Sequence, residues 1–178
     1  IFEVGGSHPS RDDLDYQACF ARGIHVMSCA PVFGPAVAEM ALGMALCSAR
    51  GILRADALVR SGREKISREG NADAFTLCGK KVGMVGFGGL GRSLKPLLDP
   101  FRCQCLAYDP FVPPEELARF GVQAVDLDTL LRESRLIFVL AAPTADNKGL
   151  IDRRRLELIR PAAVLLLMSR AHLVDFDA

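Results

Sequence analysis

After residue 80 the chain alternates short, continuously apolar runs with stretches whose apolar residues recur every three or four positions. The runs at 82–85, 104–108, 122–125, 136–140 and 163–168 are too short for helices. They are also too uniformly apolar for a sheet with one wet face, so they predict strands buried on both sides. Four helical stretches fall between them. One opens at the glycine turn 86–91, and one covers 115–120. A third is capped by Asp126 or Asp128 and ends near Ser134, and a fourth is capped by Asp152 and carries Leu156 and Ile159. Pro96 lies inside the first, where a missing N–H predicts a short or bent helix. Strands separated by helices give an α/β fold, a doubly wound parallel sheet.

Residues 1–34 follow another pattern. Strand candidates at 1–4 and 24–27 flank a turn, Gly5-Gly6-Ser7-His8-Pro9, and a short helix marked by Leu14, Ala18 and Ala21 that stops before Gly23. Two short strands and one helix cannot cover a sheet, so this segment reads as a piece of a second domain. A long helix is predicted from Pro35, with Val37, Met40, Ala41, Met44, Ala45 and Cys47 as its apolar stripe and Gly51 as a break. A more polar helical continuation bears Arg54 and Arg60, and 61–76 is a polar surface loop. The predicted domains are therefore 1–34 and 35–178.

Composition narrows the function classes. Lys plus Arg number 22 and Asp plus Glu 21, a net charge of +1, so no broad electrostatic footprint for nucleic acid is present. The most apolar runs, 136–142 and 162–168, are far shorter than the roughly 20 residues of a membrane span, and no membrane role is expected. Six scattered cysteines lack any zinc-ligand spacing, so no metal site is expected. Reduced, packed thiols in a cytoplasmic protein are the expectation. Cys103 and Cys105 are expected to point away from each other.

The chemistry begins at Gly86-Phe87-Gly88-Gly89-Leu90-Gly91, a G-x-G-x-x-G pattern that follows a strand and opens a helix. The next strand ends in Asp109, 18 residues beyond Gly91 (109 minus 91). That context marks a dinucleotide-binding turn. Gly86 permits the tight turn, Gly88 lets backbone approach a pyrophosphate, and Gly91 lets helix pack on sheet. Free N–H groups around Gly89 and Leu90 would face the phosphates. The Asp109 carboxylate can accept both adenosine ribose hydroxyls but would repel a 2′-phosphate, and Pro110-Phe111-Val112 supplies no arginine to neutralise one. NAD is predicted over NADP.

The order of segments resembles the D-2-hydroxyacid dehydrogenases nearly end to end. Arg22-Gly23-Ile24-His25-Val26, Val37-Ala38-Glu39, the glycine fingerprint, Ala107-Tyr108-Asp109-Pro110, Asn147-Lys148-Gly149-Leu150-Ile151 and Ser169-Arg170-Ala171-His172-Leu173-Val174-Asp175 occur in that family's sequence. The resemblance implies a Rossmann NAD-binding domain inserted in a flavodoxin-like substrate domain, of which 1–34 would be a part. It implies Arg170 as the group that grips and polarises a small 2-oxo or 2-hydroxy acid. Gly5 and Gly6 would supply a second substrate contact, though a plain turn reads equally well there. Thr144, Met168 and Ser169 would border the cofactor.

The helix from Pro35 would cross between domains and serve a homodimer contact, or its stripe is simple core packing. The family's proton donor, a histidine oriented by a glutamate, lies beyond the arginine motif, and the sequence given ends at Ala178. His172 is placed as a cofactor-side residue, and the chain alone is expected to bind NAD with little turnover. Leu167 and Ala171 stand where the family often has asparagine and glycine, and Ala141-Ala142-Pro143-Thr144 departs from its usual pattern. Two other readings share the glycine turn: an NADH-sensing corepressor without turnover, and an S-adenosylmethionine-dependent methyltransferase.

Overall fold

The computed structural model describes residues 1–3, 13–64 and 71–178. Gly5, Gly6 and the rest of the proposed substrate turn lie outside those residues. Near the start, β1 (Phe2–Glu3) pairs in parallel with β2 (Met27–Ser28), and α1 (Tyr16–Ala21) lies between them. The strand predicted at 24–27 is thus shorter and shifted. Gly23 sits at φ 66° and the Ile24 N–H still bonds the Cys19 carbonyl, so the chain is closing α1 until Ile24.

Helix α2 (Ala30–Arg50) starts earlier than Pro35. Pro31 occupies its first turn, where a missing N–H has no partner to lose, and Pro35 forfeits only the bond to the Pro31 carbonyl one turn back. Gly51, at φ 61°, closes it and leads into α3 (Ile52–Arg60). The predicted stripe is split between two faces. Gly34, Ala38, Ala41, Ala45 and Ala49 are the buried residues, and α2 packs on α4 (Gly89–Leu98) and the sheet. Met40 and Met44 are 64% and 43% exposed. Periodicity ranks methionine above alanine, but two backbones that approach closely need small side chains at the contact. By length and composition α2 is apolar enough to cross a membrane, which the shorter runs singled out in the sequence are not.

The sheet contains β3 (Lys81–Val85), β4 (Gln104–Tyr108), β5 (Gln123–Ala124), β6 (Leu136–Val139) and β7 (Val164–Leu167), all parallel, in spatial order β5-β4-β3-β6-β7. Each strand matches a predicted run within one or two residues. The pleat divides β3 between two cores. Val82 and Met84 join the cluster under α2 and α4, while Val85 packs with Leu127, Leu130, Leu131 and Ile137. Leu127, Leu130 and Leu131 belong to α6 (Leu127–Glu133), which follows α5 (Pro114–Arg119).

Asp126, not Asp128, caps α6. Its carboxylate accepts from the Thr129 N–H at 2.8 Å and hydroxyl at 2.7 Å, while Asp128 is ion-paired with Arg154. Pro96 lies near the end of the ten-residue α4, which passes into a 3-10 turn over Asp99–Phe101. The last helix, α7 (Arg153–Leu156), is capped by Asp152 and ends before Ile159. Cys103 and Cys105 do not point apart: residues two apart along extended chain share a face, and their sulfurs lie 3.9 Å apart.

Gly83 shows how tightly α6 is seated. A Cβ there would stand 2.5 Å from both Leu130 Cδ2 and Ser134 Oγ, and the buried Ser134 hydroxyl has no hydrogen-bond partner among the described residues. Gly83→Ala should therefore destabilise the chain by about 1–3 kcal/mol, seen as a lower urea midpoint at unchanged slope. An unchanged midpoint would mean that α6 yields freely.

Candidate functional site

Every residue singled out around the glycine turn and the arginine motif follows the carboxyl end of a strand. Consecutive strands run outward from β3 through β4 to β5, and the chain then returns to place β6 and β7 on the other side. The switch point therefore lies between β3 and β6, where a crevice opens and ligands of such sheets bind.

The glycines of the turn differ in what they answer to. Gly86 has φ 95°, and a Cβ on it would lie 2.7 Å from the Ala141 backbone just after β6. A Cβ on Gly91 would lie 3.1 Å from the Phe87 ring and 3.2 Å from the Gly86 carbonyl, a tight fit. Packing within the protein accounts for both glycines. It does not account for Gly88: its φ is −74°, which any residue adopts, and a Cβ there would meet nothing within 4 Å. Gly89 is equally open. Space kept clear beside backbone, with no intramolecular use for it, fits a ligand approaching the main chain.

That space lies at the start of α4. Gly88 provides no side-chain cap, the first turn holds no acidic residue, and the first α4 amide with a loop partner is that of Arg92, bonded to the Gly88 carbonyl. The amides of Gly89, Leu90 and Gly91 are the orphan donors of a helix N-terminus, suited to an anionic group. The residues present fit a diphosphate.

Asp109 stands beside this turn. One carboxylate oxygen accepts from the Phe87 N–H at 2.7 Å and the other from the Phe111 N–H at 2.9 Å. A carboxylate has about four acceptor positions, so two remain for ribose hydroxyls. The Phe87 amide is a site component that sequence reasoning missed, because only the fold brings it to Asp109. Its ring is fully buried edge-on to Phe120 at 5.4 Å, and that ring also carries Arg92, which pairs with Glu116 at 2.7 Å. An open cleft of about 530 Å³ borders Asp109 on the side of α5 and β5, but the glycine turn does not line it.

On the other side of the switch point, the loops after β6 and β7 are tied together. Ser169 Oγ donates to the Ala141 carbonyl at 2.6 Å, and His172 Nε2–H donates to the Thr144 carbonyl at 2.8 Å. A carbonyl only accepts, so this bond fixes Nε2 as a protonated nitrogen. Thr144 opens a 3-10 turn and exchanges side-chain and backbone bonds with Asn147, a partner that sequence reasoning had not assigned. Met168 continues the ladder through its N–H to Val139, and its side chain packs on the main core. Arg170 is exposed at the start of the turn Ala171–Leu173. Thus Gly86, Ala141, Ser169 and Arg170 follow one another across the top of β3, β6 and β7.

The glycine roles are separable. Gly86→Ala should lower stability by about 1–3 kcal/mol through strain and collision with Ala141. Gly88→Ala should leave the urea midpoint within about 0.5 kcal/mol yet weaken dinucleotide binding at least about tenfold, measured by calorimetric titration. Undiminished binding by the second variant would remove the argument from open space.

Residues 42–178 match the family model described as D-isomer specific 2-hydroxyacid dehydrogenase, NAD binding domain. The chain is 34% identical over 171 residues to glyoxylate reductase of Thermococcus litoralis, covering 94% of this chain and 52% of that protein. It is likewise 34% identical to D-3-phosphoglycerate dehydrogenase of Mycobacterium tuberculosis, covering 92% of this chain and 30% of the relative. A phosphoglycerate oxidoreductase from Rhizobium etli superposes with a TM-score of 0.83 at 38% identity, over 100% of this chain and 56% of that one. The chain spans about half the length of the first of these relatives and under a third of the second.

Proposed function

The chain belongs to the D-isomer specific 2-hydroxyacid dehydrogenases, its residues 42–178 matching their NAD-binding domain, and from that membership we propose that the whole subunit moves hydride between NAD and a 2-hydroxy or 2-oxo acid. The observation that carries the cofactor's position is Gly88, open and unstrained beside three uncapped amides. A bound nicotinamide supplies or receives the hydride; the residues here hold, orient and polarise. Gly89, Leu90 and Gly91 receive the diphosphate, Asp109 takes the adenosine ribose, and Thr144, Met168 and Ser169 border the cofactor. Aquifex aeolicus D-lactate dehydrogenase, solved in complex with NAD and lactic acid, is 26% identical with a TM-score of 0.81, which supports NAD as the cofactor.

Arg170 is the substrate-holding cation. Its position after β7 suits a guanidinium that grips a carboxylate and draws electron density from the neighbouring carbonyl. On the family resemblance alone, Gly5 and Gly6, which lie outside the described residues, are proposed as a second substrate contact. The proton donor is not assigned to His172, whose Nε2–H is committed to Thr144. The exposed Met40 and Met44 face of α2 forms the contact of a homodimer, and the protein works in the cytoplasm. Residues 1–34 belong to the substrate domain and 35–178 to the dinucleotide domain. Family membership sets aside the methyltransferase reading.

Calorimetric titration should show NADH binding at least about tenfold tighter than NADPH, because Asp109 repels a 2′-phosphate. Asp109→Asn keeps an acceptor for the Phe87 N–H while dropping the charge, and should narrow that gap. Equal binding of both by the unaltered chain would overturn the ribose assignment. In the full subunit, Arg170→Lys should lower kcat/KM for a 2-oxo acid at least about tenfold and leave the NADH Kd unchanged. An unaffected kcat/KM would move substrate binding elsewhere.

A further inference from the structure

Cys103 and Cys105 stand where β4 begins, at the opposite end of that strand from Asp109. Cys105 is 6% exposed and part of the core under α2 and α4, while Cys103, just ahead of the strand, keeps a partly open surface. Their sulfurs are 3.9 Å apart, and Cys103 Sγ is also 3.7 Å from the Leu98 carbonyl. No other cysteine pair is in contact among the described residues. Around them stand Lys95, 8% exposed on α4, and its ion-pair partner Asp99. The hydrogen bond from Cys105 brings the Cys103 thiol down to about 7, with the Lys95 charge helping and burial and Asp99 opposing. Cys105 is pushed upward by the same bond and by burial. A partly exposed thiolate beside a buried resolving thiol is the arrangement of a redox-responsive pair.

We propose that Cys103 and Cys105 are a peroxide-responsive dithiol that closes reversibly to a disulfide at the amino end of β4. The Cys103 thiolate attacks one oxygen of hydrogen peroxide, the O–O bond breaks, and the departing hydroxide takes a proton to become water. Cys103 is then a sulfenic acid, oxidised by two electrons. Cys105, losing its proton, attacks that sulfur; the S–S bond forms, the S–O bond breaks, and a second water leaves. Thiol reductants reverse the closure.

The geometry permits the bond at a local cost. Two residues of extended chain span about 6.7 Å, near the upper end of the Cα separations that disulfides bridge. The sulfurs must approach by roughly 2 Å, which bends the chain at Gln104. The Gln104 N–H holds the Lys80 carbonyl at 2.8 Å, and Gln104 pairs with Lys81 in the first rung between β4 and β3.

The test exposes the protein to equimolar hydrogen peroxide at pH 7, caps free thiols with N-ethylmaleimide and digests with trypsin. Cleavage after Arg102 and Arg119 yields one peptide holding both cysteines. It should carry no maleimide, be lighter by two hydrogens, and regain both thiols with dithiothreitol, while Cys78 remains labelled. In Cys105→Ser, dimedone should trap a sulfenic acid on Cys103. In the unoxidised protein, Cys103 alkylation should show a midpoint near pH 7 and run about threefold faster at that pH than an ordinary thiol, its higher ionised fraction partly offset by lower nucleophilicity. Maleimide on both residues after peroxide would overturn the proposal, as would irreversible oxidation of Cys103 beside a labelled Cys105.

Discussion

The contact between Gly86 and the Ala141 backbone organises the rest of the site. The chain leaves β3 at a positive φ and passes so close to the end of β6 that no Cβ fits between them. That approach sits at the topological switch point and aims the following amides out of the sheet. It also leaves Phe87 with its ring in the core and its N–H on Asp109. One steric constraint thereby couples the phosphate-facing turn to the ribose-facing carboxylate. The loops after β6 and β7 are registered to the same place through Ser169 and Ala141. The site's parts come from four strands, and their mutual geometry is a property of packing.

A second constraint supports the first from beneath. Gly34 of α2 meets α4 at Ser93, whose hydroxyl donates to the Gly89 carbonyl in the first turn. The alanine stripe lets α2 lie close along α4, so the helix that presents the phosphate amides is braced on its far side. The methionines of α2 then have no place in this core and face outward. Their exposure follows from the closeness of the α2–α4 contact, and it is this face that the proposed homodimer contact would cover.

Much of the fold was legible in the order of residues. The five strands could be placed because each run is apolar, continuous and bounded. Burial on both faces holds only at the centre: β3 and β6 are buried almost throughout, β7 is mostly half-buried, and the edge strand β5 exposes Gln123. Asp152 and one of two candidate aspartates announced helix starts. The first 34 residues were less legible, since a strand of two residues leaves no periodic trace and Gly23 delays it. The α2 stripe was misread because a hydrophobicity pattern favours large side chains where close helix packing favours small ones. Alternation along an extended chain brings residues two apart to the same face, which is why Cys103 and Cys105 meet.

Residue order alone conveys the class of sheet, the glycine turn, and the acidic residue one strand later. Those features depend on local backbone freedom and short-range periodicity, which neighbouring residues dictate. The assembled fold sets which glycines serve packing and which stay open, as at Gly86, whose limit is the Ala141 backbone 55 residues away (141 minus 86). It likewise decided that Phe87 would hold Asp109, that His172 would tie to Thr144, and that two sulfurs would meet beside Lys95. Such contacts are fixed by how strands are ordered and helices seated, information no local window contains.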